Sequence, residues 1–358
     1  MRRRWCCGGL LVLLVAAAEG SSAGGGPVLG FTGKSGNDAA RAFDLGTGTS
    51  VGGDVDLLPE GNYPYDATMT PDGAEVWIPG AAGDGVIVLD VATQTVAQRI
   101  DLAGVAEYPV DVIFEPCGTR AFVASRDTEV VAVIDRATYS VIGTVPIPTT
   151  FLGAGKMAVS QARNELYVVD WFSTLLVTVD LDTLTTSDVA LGNDFWDLAI
   201  SPDEATLYVT DRDTDQVRVV DLDTMTVTAN VAVGDDPWGI DITPDGALVV
   251  VASEDDQTVT LFDTATLTPQ TLNLAADSNP RDVEIEATGQ LAYVPSGTVA
   301  GNDLVYVIDV AAAMVVDGID VGESDTNVVA VRPQPGSCEI FADGFESGDT
   351  AGWSATVP

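Results

Sequence analysis

Apolar and polar residues alternate over short stretches along almost the whole chain, and Gly, Asp, Asn and Pro break the stretches at short intervals. The run TLYVTDRDTDQVRVVDLDTMTVTANVAVG, which ends at Gly234, shows the pattern plainly. It predicts a strand over 206–211, a polar hairpin RDTDQ, a strand VRVVD, a turn at LDT and a further strand MTVTANVAV. Just before it, FWDLAIS (195–201) reads as another strand that ends at the turn PDE. Thr, Val, Ile and Tyr fill the strands, where branched and aromatic side chains suit a pleated surface, while the turn residues fill the gaps. No segment carries a helical period.

The unit recurs. A β-rich run ending in Asp and followed by a turn appears as RAFDLGTGT, VIVLDVATQT, VAVIDRATYS, LVTVDLDTLT, VRVVDLDTMT, VTLFDTATLT and VYVIDVAAAM. Its aspartates are Asp44, Asp90, Asp135, Asp180, Asp221, Asp263 and Asp309, spaced 41 to 46 residues apart. Such a period predicts an all-β, seven-bladed β-propeller of four-stranded antiparallel blades over residues 24–335. One blade cannot bury both its faces, so each needs neighbours. The first copy supplies only three strands. TNVVAVRP (326–333) aligns with PRDVEIEA and PWGIDITP, and is expected to complete that N-terminal blade and shut the ring, hiding two sheet edges.

Composition adds exclusions. The 358 residues are 46% hydrophobic and 19% charged, enough for a substantial core. Fifteen Lys and Arg against 54 Asp and Glu give a net charge of −39. That surface repels nucleic acid and anionic headgroups and favours a cationic small molecule or a protein as partner. The absence of histidine removes imidazole acid–base chemistry, Ser-His-Asp triads and His-ligated metals.

The N-terminus, MRRRW followed by LLVLLVAAA (10–18), reads as an export signal over 1–23. Its apolar run is too short to span a bilayer. The protein is therefore expected in the periplasm, outside the cell or on its surface. Processing would leave Cys117 and Cys338, which an oxidising compartment would join in a disulfide.

LYVTD, LYVVD, VRVVDLDT, VAVG and TPDG resemble the YVTN family of β-propeller repeats, found in bacterial and archaeal surface and secreted proteins. The resemblance covers residues of about 27–335, with EPCG and SQARN standing where SPDG is usual. It implies a fold and a location, and no single reaction. The tail 336–358, with DGFESGD followed by a Trp, is similar to C-termini of secreted proteobacterial proteins and implies a sorting element.

Each innermost strand opens at a comparable position: Asp66, Asp111, Lys156, Asp197, Gly239, Asp282 and Asn327. These are expected around the channel mouth, on the side of the loops that link blades and join each second strand to its third. Asp66, Asp111, Asp197, Asp282 and Asn327 are candidate ligands for calcium, the one cofactor considered, which takes six to eight oxygens. The competing reading has each Asp accept backbone N–H bonds from its own or the next blade, and Lys156 favours it. Tyr65, Trp196 and Trp238 precede ring positions and are candidates either for a binding mouth or for packing between blades.

DRDTDQ resembles a calcium loop but lacks Gly at its sixth position and Glu at its twelfth, Leu222, so it reads as a hairpin. GFTGKS lacks the required first Gly, residue 28 being Val, and is rejected as a phosphate loop. The function expected is binding rather than catalysis: a scaffold that displays loops around an acidic mouth. The alternatives are a calcium-dependent hydrolase like the propeller lactonases, which share the fold alone, and a cofactor-free subunit of a periplasmic complex.

Overall fold

The computed structural model describes residues 11–14, 29–34, 38–44, 49–58, 63–115, 117–148, 153–171, 173–192, 194–298, 303–322 and 328–331. Five sheets, spanning 68–101, 109–146, 154–190, 195–232 and 237–273, each hold four antiparallel strands in chain order. A sixth, 278–322, repeats the plan with its innermost strand split into Ser278–Pro280 and Glu284–Ile285. Pro280 brings no N–H to the ladder there. The molecule is thus an all-β propeller with six antiparallel blades of this kind. Among the described residues, no helix is long and apolar enough to cross a membrane.

Burial follows from stacking the blades face to face. In the blade of 195–232 the second strand, Thr206–Asp211, is buried from Leu207 onward, with no in–out alternation. Both its faces are covered by neighbouring sheets, which is why LYVTD reads as a continuous apolar run. The outermost strand, Thr226–Ala232, reaches the rim and alternates between exposed and half-buried positions over most of its length. Phe122 of one blade, Tyr167 and Leu176 of the next, and Phe195 and Leu207 of the one after belong to a single apolar cluster.

The repeated aspartates cap their own turns. The N–H of Thr93, Thr138, Thr183, Thr224 and Thr266 donates to the Asp three residues earlier at 2.7–2.8 Å, and Ala312 does the same to Asp309. The recurring D-x-x-T is therefore a turn whose carboxylate replaces a missing backbone acceptor.

The PDG turns between the first and second strands nest around the ring. Gly118, Gly246 and Gly289 sit at positive φ (65°, 72° and 72°). A Cβ on each would lie 3.1–3.2 Å from Pro71, Pro202 and Pro244 of the preceding blade. Where the motif drifts, Asn164 and Glu204 take the left-handed position at φ 56° and 54°. The Glu204 carboxylate offsets its strain by accepting from Ser160 Oγ and from the Ala162 N–H of the neighbouring blade.

The N-terminal sheet departs from expectation. Val328–Val331 belongs to it, but pairs in parallel with Leu11–Leu14, and Leu11–Leu14 pairs antiparallel with Leu29–Lys34. The expected direct pairing of the C-terminal strand with the opening strand of this blade is not found. The Leu- and Val-rich segment read as an export signal holds that place, because its composition suits a central strand as well as a signal. GFTGKS falls largely within the strand Leu29–Lys34, as its rejection as a phosphate loop implies. DRDTDQ is a hairpin in which Asp211 lies opposite Gln216.

Candidate functional site

The innermost strands surround a cavity of about 530 Å³. It runs from a ring of carboxylates at the strand starts to the PDG-type turns at the other end, where Pro71, Pro202 and Pro244 line it. Between the two ends its wall is mostly apolar, with Met69, Val112, Met157, Leu198, Ile242 and Val283 among the lining residues.

Asp66, Asp111, Lys156, Asp197 and Asp282 all line this cavity, as the alignment of the blades predicts. All four carboxylates are at least nine-tenths buried. Lys156 Nζ lies 2.9 Å from Asp66 Oδ1 and 3.6 Å from Asp111 Oδ1. Burial, then the charge of Asp66, pushes the Asp111 carboxyl well above its usual range, and Lys156 opposes the shift. Burial alone would lower the Lys156 ammonium. Asp66, Asp111, Asp197 and Asp282 outweigh it and hold the group well above its ordinary value, so it stays charged.

A second set of bonds links neighbouring blades. The Met157 N–H donates to Asp111 Oδ2 at 2.8 Å, and the Ile240 N–H to Asp197 Oδ2 at 3.3 Å. The Ile285 N–H donates to Asp241 Oδ2 at 2.7 Å. Each carboxylate thus reaches one blade forward and takes the N–H of the next innermost strand. Asp197 and Asp241 each spend their other oxygen on the following residue of their own strand, Leu198 and Ile242. Among the described residues, no three carboxylate or thiol groups come close enough together to hold a metal ion. Asn327 lies outside the described residues.

Asp241 was not legible as a ring member. Its blade has Gly239 at the aligned position, where a Cβ would lie 2.4 Å from the Asp282 Cα. The carboxylate comes instead from two residues further on, the same face of the strand. An acid inside the otherwise apolar stretch PWGIDI was the available signal.

Burial raises Asp197 to about 6 despite Lys156 and two N–H bonds, and Asp241 to about 7 despite its own two. Both therefore hold protons in the folded protein at pH values where the unfolded chain, near 3.8, has released them. Folding takes up protons across that window, so stability falls as pH rises through it. The turn aspartates work in the opposite sense. The N–H and hydroxyl of the threonine three residues on hold Asp90, Asp135, Asp180, Asp221 and Asp263 below 3.8. Their contribution is present above that pH and lost below it. The melting midpoint is therefore expected to peak at about pH 4 and to fall on both sides. A midpoint rising steadily to pH 8 in a buffer series would show that the channel carboxylates remain ionised.

Above the ring lies an arc of aromatic rings and arginines. Trp171 and Trp196 stack with centroids 4.3 Å apart and planes 4° from parallel, and Trp196 meets Trp238 at 4.2 Å. Tyr65 lies 5.9 Å from Trp171 and 5.8 Å from Tyr108. Arg126 covers Tyr108, Arg212 sits over both Trp196 and Trp238, and Arg281 also covers Trp238. Trp171 Nε1 donates to the Trp196 carbonyl, and Trp238 Nε1 to Asp236, which also holds Arg212. Tyr65, Trp196 and Trp238 are thus brought together, packed between blades. Arg126, Trp171 and Arg212 were missed; each follows the last residue of its blade's second strand. Cys117 is disulfide-bonded; Cys338, its expected partner, lies outside the described residues, as does the tail.

A propeller with a self-bonded ring of inner carboxylates is the class of protein this geometry defines. A family model described as Lactonase, 7-bladed beta-propeller matches residues 168–275, under half of the chain. No curated protein matches the sequence. Among solved structures, hydrazine synthase of Kuenenia stuttgartiensis is similar at 19% identity and a TM-score of 0.66, over 76% of this chain and 90% of that one. At that identity the likeness is one of fold alone.

Proposed function

We propose that the chain is an exported, surface-associated or periplasmic binding scaffold of the YVTN type. Its ring would have seven blades, closed by 326–333 once the export signal is removed. Strand direction supports that closure: Val328–Val331 runs parallel to Leu11–Leu14 and therefore antiparallel to Leu29–Lys34, as an innermost strand must. The observation that carries the binding reading is the use of the ring. Its carboxylates accept N–H bonds from the next blade or face Lys156, which makes them staples between blades rather than an open metal cage.

The proposed recognition surface is the loop face, where Asp213, Asp235, Asp255 and Asp256 are exposed on neighbouring loops. The charge of Asp215, then burial, raises Asp235 above its usual range, so like charges crowd there and a cation relieves them. The partner would be a basic protein segment or a small cation. An oligolysine peptide should bind at low salt, weaken as salt rises, and bind at least several-fold more weakly to a D213N/D255N/D256N variant. Binding unaffected by those substitutions would remove the loop face as the site.

The match to the lactonase model favours one second reading, a propeller hydrolase. Calcium-dependent turnover of lactones by the purified protein would establish it in place of the scaffold.

A further inference from the structure

Seven carboxylates line the channel, Asp66, Asp111, Asp197, Asp241 and Asp282 together with Glu115 and Glu284, and Lys156 is the one ammonium among the lining residues. Lys156 stands beside Asp66 and Asp111, on one side of the ring. Among the described residues, neither Asp197 nor Asp241 has a cationic side chain within ion-pair distance. Each oxygen of these two groups takes one backbone N–H, and a carboxylate oxygen has room for a second donor. Below them the bore is mostly apolar along the innermost strands, with Thr68 and Glu284 as polar exceptions, and it ends among turns at which Pro202 is exposed.

From these features we infer that the channel is a binding site for a primary alkylammonium, its charged head on Asp197 and Asp241 and its chain along the apolar bore. The cavity's volume is in the range that holds small ligands. An organic ammonium suits it where a metal ion does not, because two separated carboxylates serve as hydrogen-bond acceptors without converging on one point. The wall below explains why the ligand needs a chain: Leu198, Ile242 and Val283 offer only apolar contact. Entry would be from the turn end, opposite the loop face, so this site stands or falls independently of what the loops bind.

The test is calorimetric titration of the mature protein with butyl-, pentyl- and hexylammonium, and with hexanol as the neutral counterpart. At pH 8 affinity should rise about fourfold with each added methylene, as burial of a chain requires. Hexanol should bind at least tenfold more weakly than hexylammonium. At pH 5, where the two carboxylates hold protons, hexylammonium should lose at least tenfold. A V159W variant, which fills the bore without touching the carboxylates, should lose binding of all three amines. Equal affinities along the series would place the ammonium on the acidic surface and overturn the proposal. Hexanol binding as tightly as hexylammonium would overturn it too, as would no binding at millimolar concentration. The chain-length and pH series use the unaltered protein, so they decide the matter even if V159W fails to fold.

Discussion

Replacing Lys156 by methionine is expected to lower stability by about 3–5 kcal/mol at pH 8, the usual cost of removing one member of a buried ion pair. The ammonium is the charge that balances Asp66 and Asp111, and both carboxyls are almost wholly out of solvent. Without it Asp111 keeps the Met157 N–H, but among the described residues neither carboxylate has another cation within ion-pair distance. The sign of the pH dependence is fixed. Lys156 is charged in the folded protein throughout the accessible range, its value lying above the ordinary one, so the loss comes from the carboxylates left behind. The Asp111 carboxyl, held well above its usual range, accepts a proton as the pH drops, and the penalty should shrink at pH 5. Urea unfolding of both proteins at pH 5 and pH 8 measures this. An equal loss at both values would mean that the lysine contributes through its alkyl chain alone.

Gly239→Ala should destabilise by about 3 kcal/mol, at or beyond the upper end of ordinary overpacking. The added Cβ would meet the Asp282 Cα at 2.4 Å and the Val283 nitrogen at 2.8 Å, both main-chain atoms of the next blade. No rotamer change relieves a clash with backbone, so the two innermost strands must separate. That separation also stretches the bond from the Ile285 N–H to Asp241, which ties the same two strands together. Gly53→Ala is the control: nothing lies within 4 Å of its Cβ, and its effect should be within a few tenths of a kcal/mol. Similar unfolding midpoints for the two variants would contradict the close approach of these blades.

The repeat was legible because each blade solves the same local problem. An Asp that caps its own turn must sit at a fixed distance from the strand it ends, so Asp90, Asp135 and Asp221 mark the period in the sequence. The carboxylate ring was legible for a related reason: equivalent residues of aligned innermost strands must come together when the sheets are arranged around an axis. Asp241 escaped because Gly239, forced by the approach of Asp282, broke the alignment. The aromatic arc was half visible. Trp196 and Trp238 share a position in the repeat, but Trp171 and Arg212 come from hairpin positions whose neighbours are set by the turn from one blade to the next. Nothing local in the sequence encodes that adjacency. In the N-terminal sheet Leu11–Leu14 stands where Val328–Val331 was expected, because an apolar run rich in Leu and Val suits an export signal and a central strand equally well.

The central claim is that the inner ring holds blades together and balances Lys156 rather than coordinating a metal ion. Thermal melts of the mature protein in excess EDTA and in millimolar calcium test it most directly. A ligand that binds the folded state alone raises the midpoint by a free energy of about RT ln(1 + [L]/Kd). The account predicts the same midpoint in both buffers. A calcium-specific rise that disappears in Asp66→Ala or Asp282→Ala would make the ring a metal site and bring the hydrolase reading forward.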